Sequence, residues 1–239
     1  MYAIISDVHS NLDALRAVID DIRKRTPSVG ILFLGDIVGY GPEPNECIEI
    51  IKDIASFPIA GNHDWASVGL TDIEYFNPDA REAILWTQNV LRVEGSEFLK
   101  GLPLTAEVGD IFLVHGTPKE PQDWHYLIYL EDAEENFNYF KGNICFLGHS
   151  HIPFIIERAG DGSLRTLGKR VKIKSGSRYI INPGSVGQPR DRDPRASYAI
   201  LKGDEVEIIR VAYPIENTQR KMKTLGLPRA LIERLALGR

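Results

Sequence analysis

Cysteine is scarce in this sequence of 239 residues: only Cys47 and Cys145 are present, too few for a disulfide framework. Cys47 falls in a helical pattern and Cys145 in a short apolar run typical of a buried strand, so we expect both to be reduced core thiols. No apolar run approaches the ~20 residues of a membrane span. The first predicted strand begins at Tyr2 and leaves no room for a signal segment. We therefore expect a cytoplasmic protein without a membrane partner.

Long blocks of positive charge are absent as well. The chain has 28 Lys and Arg residues against 33 Asp and Glu residues, a net charge of −5. This balance argues against a constitutive nucleic-acid partner but leaves a nucleotide substrate open. There is no internal repeat, and a hydrophobic content of 43% is enough for one sizeable core. We expect residues 1–239 to form a single domain, and a homo-oligomer stays open.

The first half of the chain alternates between strand and helix patterns. Residues 2–5 precede an amphipathic helix over about residues 12–25, for which Asn11 is a candidate cap. A second strand at 31–34 is again followed by a helical pattern. Strand, helix, strand is the crossover of a parallel sheet. A helical insertion is expected at about 65–109.

The pattern becomes antiparallel after residue 154. Asp161-Gly162 and Gly203-Asp204 have the composition of hairpin turns between β-rich runs. We expect this half of the chain to supply a second sheet that packs face to face on the first, with helices outside. A tail of two short helices is expected at about 215–237. The predicted fold class is therefore α/β.

Side chains that bind metals follow five predicted strands. They are Asp7 and His9, Asp36, Asn62 with His63 and Asp64, His115, and His149 with His151. Of the six histidines, only His125 lies outside these positions. In open α/β sheets, ligands bind beyond the carboxyl ends of the strands, so we expect these side chains to meet at one edge. Imidazole, carboxylate and amide ligands without thiolate suit Mn²⁺, Fe²⁺, Zn²⁺ or Ni²⁺.

The order of these motifs resembles that of the calcineurin-like metallophosphoesterase superfamily, and the run 182–190 resembles a hallmark of its small bacterial and archaeal phosphodiesterase-like members. The resemblance implies a four-layer α/β/β/α sandwich of two packed mixed sheets, the metallo-dependent phosphatase fold, with two divalent ions per chain. It implies one ion held by Asp7, His9, Asp36 and His151, and another held by Asp36, Asn62, His115 and His149. Asp36 is the implied bridge.

The resemblance also implies a reaction, the hydrolysis of a small phosphate ester by a hydroxide that bridges the two ions, with Mn²⁺ as the first candidate metal. His63, next to the expected ligand Asn62, is the candidate general acid that protonates the leaving group. Asp64 has two interpretations, which stay open. It either orients His63 and favours its protonated form, or it caps the helix that follows.

The expected substrate class depends on a departure from the protein phosphatases of this superfamily. Their second motif contains an arginine that binds phosphate, where this sequence has Gly39-Tyr40. We therefore expect a phosphodiesterase, with Tyr40 as a face on which a base or aryl group stacks. A phosphomonoesterase or nucleotidase is the alternative, since Arg190 could replace the missing arginine. Asn11 is expected to cap its helix, and a phosphate contact is its other interpretation.

A non-catalytic scaffold is the alternative from a different functional class. Members of this fold that serve as scaffolds lack catalytic groups, typically the acid histidine. This chain has His63 and every expected ligand, which favours an enzyme.

Overall fold

The computed structural model describes residues 1–239, which form twelve strands and eight α-helices. The strands are β1 (Tyr2–Ile5), β2 (Gly30–Phe33), β3 (Ala55–Pro58), β4 (Thr105–Val108), β5 (Ile111–Val114), β6 (Ile144–Phe146), β7 (Phe154–Arg158), β8 (Leu164–Leu167), β9 (Arg170–Lys172), β10 (Arg178–Asn182), β11 (Ala196–Lys202) and β12 (Glu205–Val211). The helices are α1 (Leu12–Arg25), α2 (Pro44–Ile54), α3 (Asn62–Ser67), α4 (Pro78–Val90), α5 (Val93–Lys100), α6 (Leu130–Asn136), α7 (Ile215–Thr224) and α8 (Arg229–Leu237).

The first sheet has the strand order β3-β2-β1-β11-β12-β9. β1 pairs in parallel with β2, and β2 with β3, so the predicted strand-helix-strand crossovers are confirmed. On its other side β1 pairs antiparallel with β11, where Ala3 lies opposite Ile200. β12 and β9 continue the sheet in antiparallel register. The predicted hairpin around Gly203 joins β11 to β12.

The second sheet has the order β4-β5-β6-β10-β7-β8. β5, β6 and β10 are parallel, and β4, β7 and β8 pair antiparallel with their neighbours. Our expectation that the second half of the chain supplies the second sheet is wrong in this respect, because β9, β11 and β12 complete the first sheet and β4 to β6 belong to the second. Turn composition identifies a hairpin but not the sheet that it joins, since the pairing partner is distant in the sequence.

Alternate residues of β1 show how the layers are stacked. Ile4 lies in the apolar cluster between the two sheets. Ala3 and Ile5 lie in a separate cluster with the apolar face of α1, as the period of two in a strand requires. On the far side of the second sheet, Cys145 packs with Ala133 of α6. The layers are therefore helix, sheet, sheet and helix, which confirms the predicted sandwich of two mixed sheets.

Helices also occupy the two segments where the sequence predicted them. α3, α4 and α5 lie between β3 and β4, and α7 and α8 form the end of the chain, separated at Gly226, whose φ is +72°. Both cysteines are free and buried. None of the helices is both long and apolar enough to cross a bilayer.

Candidate metal centre

The candidate ligands follow the carboxyl ends of strands from both sheets. Asp7 and His9 follow β1, Asp36 follows β2, Asn62 begins α3 after β3, His115 follows β5, and His149 and His151 follow β6. The sequence suggested one sheet edge, whereas the structure joins the ends of three strands of the first sheet to two of the second. A backbone contact crosses this junction, since the N–H of His149 donates to the Asp7 carboxylate at 3.2 Å.

The backbone at these positions is unusual. Ten non-glycine residues have positive φ, and five of them are candidate ligands: Asp7, His9, Asp36, His149 and His151, with φ between 49° and 65°. The left-handed region is costly for a residue that carries a Cβ, and such strain concentrates at functional sites. The loops after these strands are therefore held in place by the surrounding fold, and they direct the side chains inward.

The first group of converging side chains is Asp7, His9, Asp36 and His151, all of them buried. Oδ1 of Asp7 lies 3.2 Å from Nε2 of His151. Nε2 of His9 lies 3.5 Å from Oδ2 of Asp36 and 3.0 Å from Nε2 of His151. Two carboxylates and two imidazoles thus point their ligand atoms at one small volume.

The second group is Asp36, His115 and His149, also buried. Nε2 of His115 lies 3.3 Å from Oδ2 of Asp36 and 3.2 Å from Oδ1 of Asn62. The rings of His115 and His149 have their centroids 5.0 Å apart. Asp36 belongs to both groups, so its carboxylate lies between two clusters of ligand atoms.

The tautomers of three histidines follow from their backbone partners. Nδ1 contacts a carbonyl oxygen in each: Val38 for His9 at 3.1 Å, Leu34 for His115 at 2.7 Å, and Gln188 for His151 at 2.6 Å. A carbonyl oxygen only accepts, so each Nδ1 carries the hydrogen, and each ring in its neutral form presents a lone pair at Nε2. This arrangement orients histidine ligands in metal sites.

A buried carboxylate oxygen without a hydrogen-bond partner also indicates a metal site. Oδ2 of Asp36, the atom nearest His9 and His115, is buried and has no hydrogen-bond partner. A buried carboxylate oxygen without a partner is costly unless a cation lies against it. The donor set therefore fits two divalent metal ions that share Asp36.

Electrostatics keeps the carboxylates in the metal-binding form. Burial raises the pKa of Asp36, but the neighbouring imidazoles of His115 and His63 outweigh it and hold the pKa well below its usual range. Burial lowers the pKa of His115, but the Asp36 charge reverses the shift and raises it to about 9. Burial lowers the pKa of His9 and of His149 well below the usual value. Ionised carboxylates beside the neutral imidazoles of His9 and His149 are the forms that coordinate a metal, and His115 would release its proton when a metal binds.

The candidate acid His63 lies next to this centre. Its backbone N–H donates to Oδ1 of Asp36 at 2.9 Å, whereas its ring makes no hydrogen bond to the protein and its buried Nδ1 has no partner. The ring packs against Tyr40, with centroids 4.3 Å apart, and against His9 at 4.9 Å. Burial lowers the pKa of His63 to about 4. An anion brought against the ring would raise this pKa.

The contacts of Asp64 agree with its interpretation as a helix cap and not with a role in orienting His63. Its carboxylate accepts from four backbone N–H groups, at 2.8 to 3.1 Å, those of Asp36, Ile37, Val38 and Gly61. It makes no hydrogen bond to His63, so the expected orienting contact is absent. Gly61 approaches Asp36 so closely that a Cβ at this position would collide with the carboxylate. Asp64 and Gly61 therefore fix the loop that carries Asp36.

Comparison with known proteins agrees with this geometry. The family model of the calcineurin-like phosphoesterases matches residues 2–174. The chain belongs to this family. It is similar to an uncharacterised protein of Methanocaldococcus jannaschii, with 44% identity over 247 residues that cover 100% of this chain and 98% of the relative.

Solved structures show the same similarity. A metallophosphoesterase from Sphaerobacter thermophilus is 44% identical with a TM-score of 0.87, over 100% of this chain and 98% of that one. A hypothetical protein from Pyrococcus horikoshii OT3 has the same fold, with 23% identity, a TM-score of 0.82 and the same coverage. The chain is thus a hydrolase of the metallophosphoesterase family, with buried Asp and His groups that fit a dinuclear metal site.

Tyr40 is not the stacking face that we expected in this phosphoesterase. Its ring is only 5% exposed, because it packs against His9 and His63 and lies under the guanidinium of Arg234. Its hydroxyl accepts a hydrogen bond from Nη2 of Arg190 at 3.2 Å. The motif spacing placed Tyr40 at the site correctly but did not show that its ring is covered.

Asn11 is likewise not a phosphate contact. Its Oδ1 accepts from the N–H of Ala14 at 3.2 Å and from the Thr218 hydroxyl at 2.9 Å. Its Nδ2 donates to the carbonyl of Gly187 at 2.9 Å and to the Tyr213 hydroxyl at 3.2 Å. These contacts occupy the whole amide of a buried side chain. The cap interpretation of Asn11 is confirmed, and the side chain ties α1 to the segments that enclose the site.

Arg190 reaches the site from the loop after β10. Its backbone N–H donates to the carbonyl of His151 at 3.3 Å, and its side chain contacts the Tyr40 hydroxyl. Its charge contributes, after burial, to the lowered pKa of both His151 and His63. The guanidinium therefore lies close enough to the candidate centre to act on an anion there.

The sequence analysis missed Tyr126. Its ring stacks on that of His149, with centroids 3.9 Å apart and an angle of 16° between the planes. Tyr126 is 49% exposed. The neighbouring His125 is exposed and lies near Glu120 and Asp123 instead, so it is not one of the converging ligands. Tyr126 follows no strand end and carries no metal-binding group, so no spacing in the sequence marked it.

Proposed function

We propose that this phosphoesterase is a dinuclear-metal phosphodiesterase that cleaves small substituted phosphates, nucleotides among them. The observation that carries the proposal is the shared position of Asp36, whose unpartnered Oδ2 lies 3.5 Å from Nε2 of His9 and 3.3 Å from Nε2 of His115. One carboxylate between two sets of imidazoles is suited to bridging two cations and has no evident purpose in a site without them.

The proposed ligand sets are those that the geometry brings together. Asp7, His9, Asp36 and His151 would hold one ion, and Asp36, Asn62, His115 and His149 the other. Nitrogen and oxygen donors without thiolate suit Mn²⁺ best, with Fe²⁺, Zn²⁺ and Ni²⁺ as further candidates. When bound, such a pair supplies an activated water as nucleophile and positive charge for the phosphoryl oxygens.

His63 is proposed as the general acid. Its ring has no hydrogen bond to the protein, so the imidazole is free to give a proton to the leaving oxygen. Burial keeps the ring neutral before substrate arrives, since the pKa is lowered to about 4. The negative charge of a bound phosphate opposes this shift and favours the protonated ring at the moment when a donor is needed.

The preference for diesters rests on the space beside the site. A diester carries a second substituent, and the half-exposed ring of Tyr126 next to His149 offers that substituent an aromatic face. Tyr40 does not serve this purpose, because its ring is covered. Base and aryl groups both stack on such a face.

A phosphomonoesterase is the second candidate, and the position of Arg190 favours it. A monoester dianion gains from a guanidinium beside the metals, and Arg190 lies next to His151 and Tyr40. If Arg190 binds the reacting phosphate, it replaces the arginine that the second motif lacks.

Steady-state kinetics on two esters with the same leaving group separates these candidates. Methyl 4-nitrophenyl phosphate and 4-nitrophenyl phosphate are compared on Mn²⁺-loaded protein. The phosphodiesterase proposal predicts a higher kcat/KM for the methyl ester. A monoester preference that disappears in Arg190→Ala would instead establish the second candidate.

A further inference from the structure

Two arginines meet beside the candidate centre without a carboxylate between them. Nη2 of Arg190 donates to Oε1 of Gln188 at 3.2 Å, and Nη2 of Arg234 donates to the same oxygen. The Nε atoms of both arginines are buried and have no hydrogen-bond partner. A single neutral amide oxygen is therefore the shared acceptor of two guanidinium groups that retain unused donors.

The fold holds this pair in place. Arg234 lies on α8, which is anchored where the carbonyl of Gly238 accepts from the N–H of Arg192 at 2.8 Å. Leu231 and Leu235 of the same helix pack in one apolar cluster with Tyr40. Helix α8 is thus fixed against the site, and Arg234 is directed over the Tyr40 ring, with its Cζ 4.8 Å from the centroid.

A third buried arginine, Arg210, has the carboxylate partners that Arg190 and Arg234 lack. The side chain of Arg210 is 6% exposed and forms ion pairs with Asp191 and Asp193. Neither Arg190 nor Arg234 has such a partner. Burial lowers the pKa of Arg234, and the charge of Arg190 lowers it further. Two like charges that are close and unbalanced are unfavourable, and an anion that binds both would relieve the repulsion.

The pair also lies close to residues of the candidate centre. Arg190 is hydrogen-bonded through its backbone to His151, and the Tyr40 ring that Arg234 covers packs directly on His63 and His9. One aromatic ring separates Arg234 from the candidate acid. A second phosphate linked to one at the metals would extend towards this pair.

We propose that Arg190 and Arg234, with Gln188 between them, form a second anion subsite that binds a further phosphate of the substrate. This inference rests on the proposed function and narrows its substrate class. The substrate is a phosphate ester with a pyrophosphate linkage, such as a nucleoside diphosphate derivative, of which one phosphate reacts at the metals and the next lies on the arginine pair. Paired guanidinium groups with free N–H donors are matched to phosphate oxygens.

Calorimetric titration of the Mn²⁺-loaded protein tests this subsite with two stable probes. Methyl methylphosphonate resembles a simple diester, and P,P′-dimethyl methylenediphosphonate adds one linked phosphonate. The wild-type protein is expected to bind the second probe at least about tenfold more tightly. Arg234→Gln is expected to lose most of this preference, since one charge-assisted contact is worth about a factor of ten or more. Arg234→Lys keeps the charge and part of the preference.

Arg229→Gln is the matched control, because Arg229 lies on the same helix, is 89% exposed and pairs with Glu233. It should keep the full preference. Equal affinity of the wild-type protein for both probes, or an unchanged preference in Arg234→Gln and Arg234→Lys, would overturn the subsite. Hydrolysis of methyl 4-nitrophenyl phosphate, measured in parallel on the wild-type protein, separates the two proposals: its presence without a probe preference leaves the phosphodiesterase intact and removes the subsite alone.

Discussion

Nε2 of His9 and Nε2 of His151 lie 3.0 Å apart, although each ring already donates its Nδ1 hydrogen to a backbone carbonyl. Neither Nε2 has a hydrogen to share, so two lone pairs face each other in a buried site. Such a contact is repulsive unless a cation is bound by both nitrogens. This relationship, together with the orphaned oxygen of Asp36, is the physical basis for a metal centre in this phosphoesterase.

The proposed bridging role of Asp36 predicts that its loss affects both metal positions, whereas the loss of Asn62 affects one. Asp36→Asn removes the charge shared by both clusters and should lower the metal content at both positions. Asn62→Ala removes a neutral oxygen 3.2 Å from His115 and should weaken one position only. Elemental analysis of dialysed variants measures the difference. Two tightly held metals per chain in Asp36→Asn would refute the bridge.

The proposed acid role of His63 predicts that the effect of its removal depends on the leaving group. His63→Ala should keep its metals, because the ring is in neither ligand cluster, yet lose roughly 10²–10⁴-fold in kcat on an alkyl ester. The loss should be much smaller on a nitrophenyl ester, whose leaving group departs without a proton. Kinetics on both esters checks this, and equal losses would argue against proton donation.

The half-exposed side chain of Tyr126 predicts that this residue helps to bind the aromatic substituent of a substrate. Tyr126→Ala should raise KM for thymidine 5′-(4-nitrophenyl) phosphate by roughly three- to tenfold, as expected for one lost stacking contact. KM for methyl 4-nitrophenyl phosphate should rise less. Tyr129→Ala is the control, since Tyr129 lies in the same loop and is 68% exposed. Equal increases of KM in the two variants would show that Tyr126 does not bind the substrate.

The lowered pKa of Glu157, which lies away from the metal site, predicts that the stability of the fold depends on pH. A hydrogen bond from Arg165, with others from Ser177 and Tyr179, lowers the pKa of this buried carboxyl from 4.5 to about 2. A lowered pKa stabilises the fold fully above the unfolded value of 4.5, and the stabilisation is lost as pH falls towards about 2.

Glu157→Gln should therefore lower the free energy of unfolding by about 2 kcal/mol at pH 7. The difference from the wild-type protein should shrink between pH 4.5 and about 2. Urea titrations across this range measure it. A difference that does not change with pH would mean that the carboxylate charge contributes nothing.

Local sequence was sufficient where a property depends on neighbours in the chain. Apolar runs that end in Gly35-Asp36 or Gly148-His149 predicted strands with polar loops, and the parallel arrangement of β1, β2 and β3 followed from the helices between them. The metal-binding residue types at these ends then predicted the clusters, because parallel strands bring their carboxyl ends together.

Properties that depend on distant segments were not predictable in this way. Tyr40 was expected to offer a face on which a base or aryl group stacks, but α8, almost two hundred residues later, covers its ring with Arg234. The assignment of β11 to the first sheet likewise depends on pairing with β1 across the whole chain. Side-chain type and spacing contain no information about such contacts.

Metal titration of diester hydrolysis tests the dinuclear phosphodiesterase most directly. Protein freed of metal by chelation is titrated with Mn²⁺, and the rate of methyl 4-nitrophenyl phosphate hydrolysis is recorded at each ratio of metal to chain. The shared Asp36 and the two ligand clusters predict negligible hydrolysis without metal and a rate that reaches its plateau at two equivalents. A plateau at one equivalent, or undiminished hydrolysis by the metal-free protein, would contradict the two-metal mechanism.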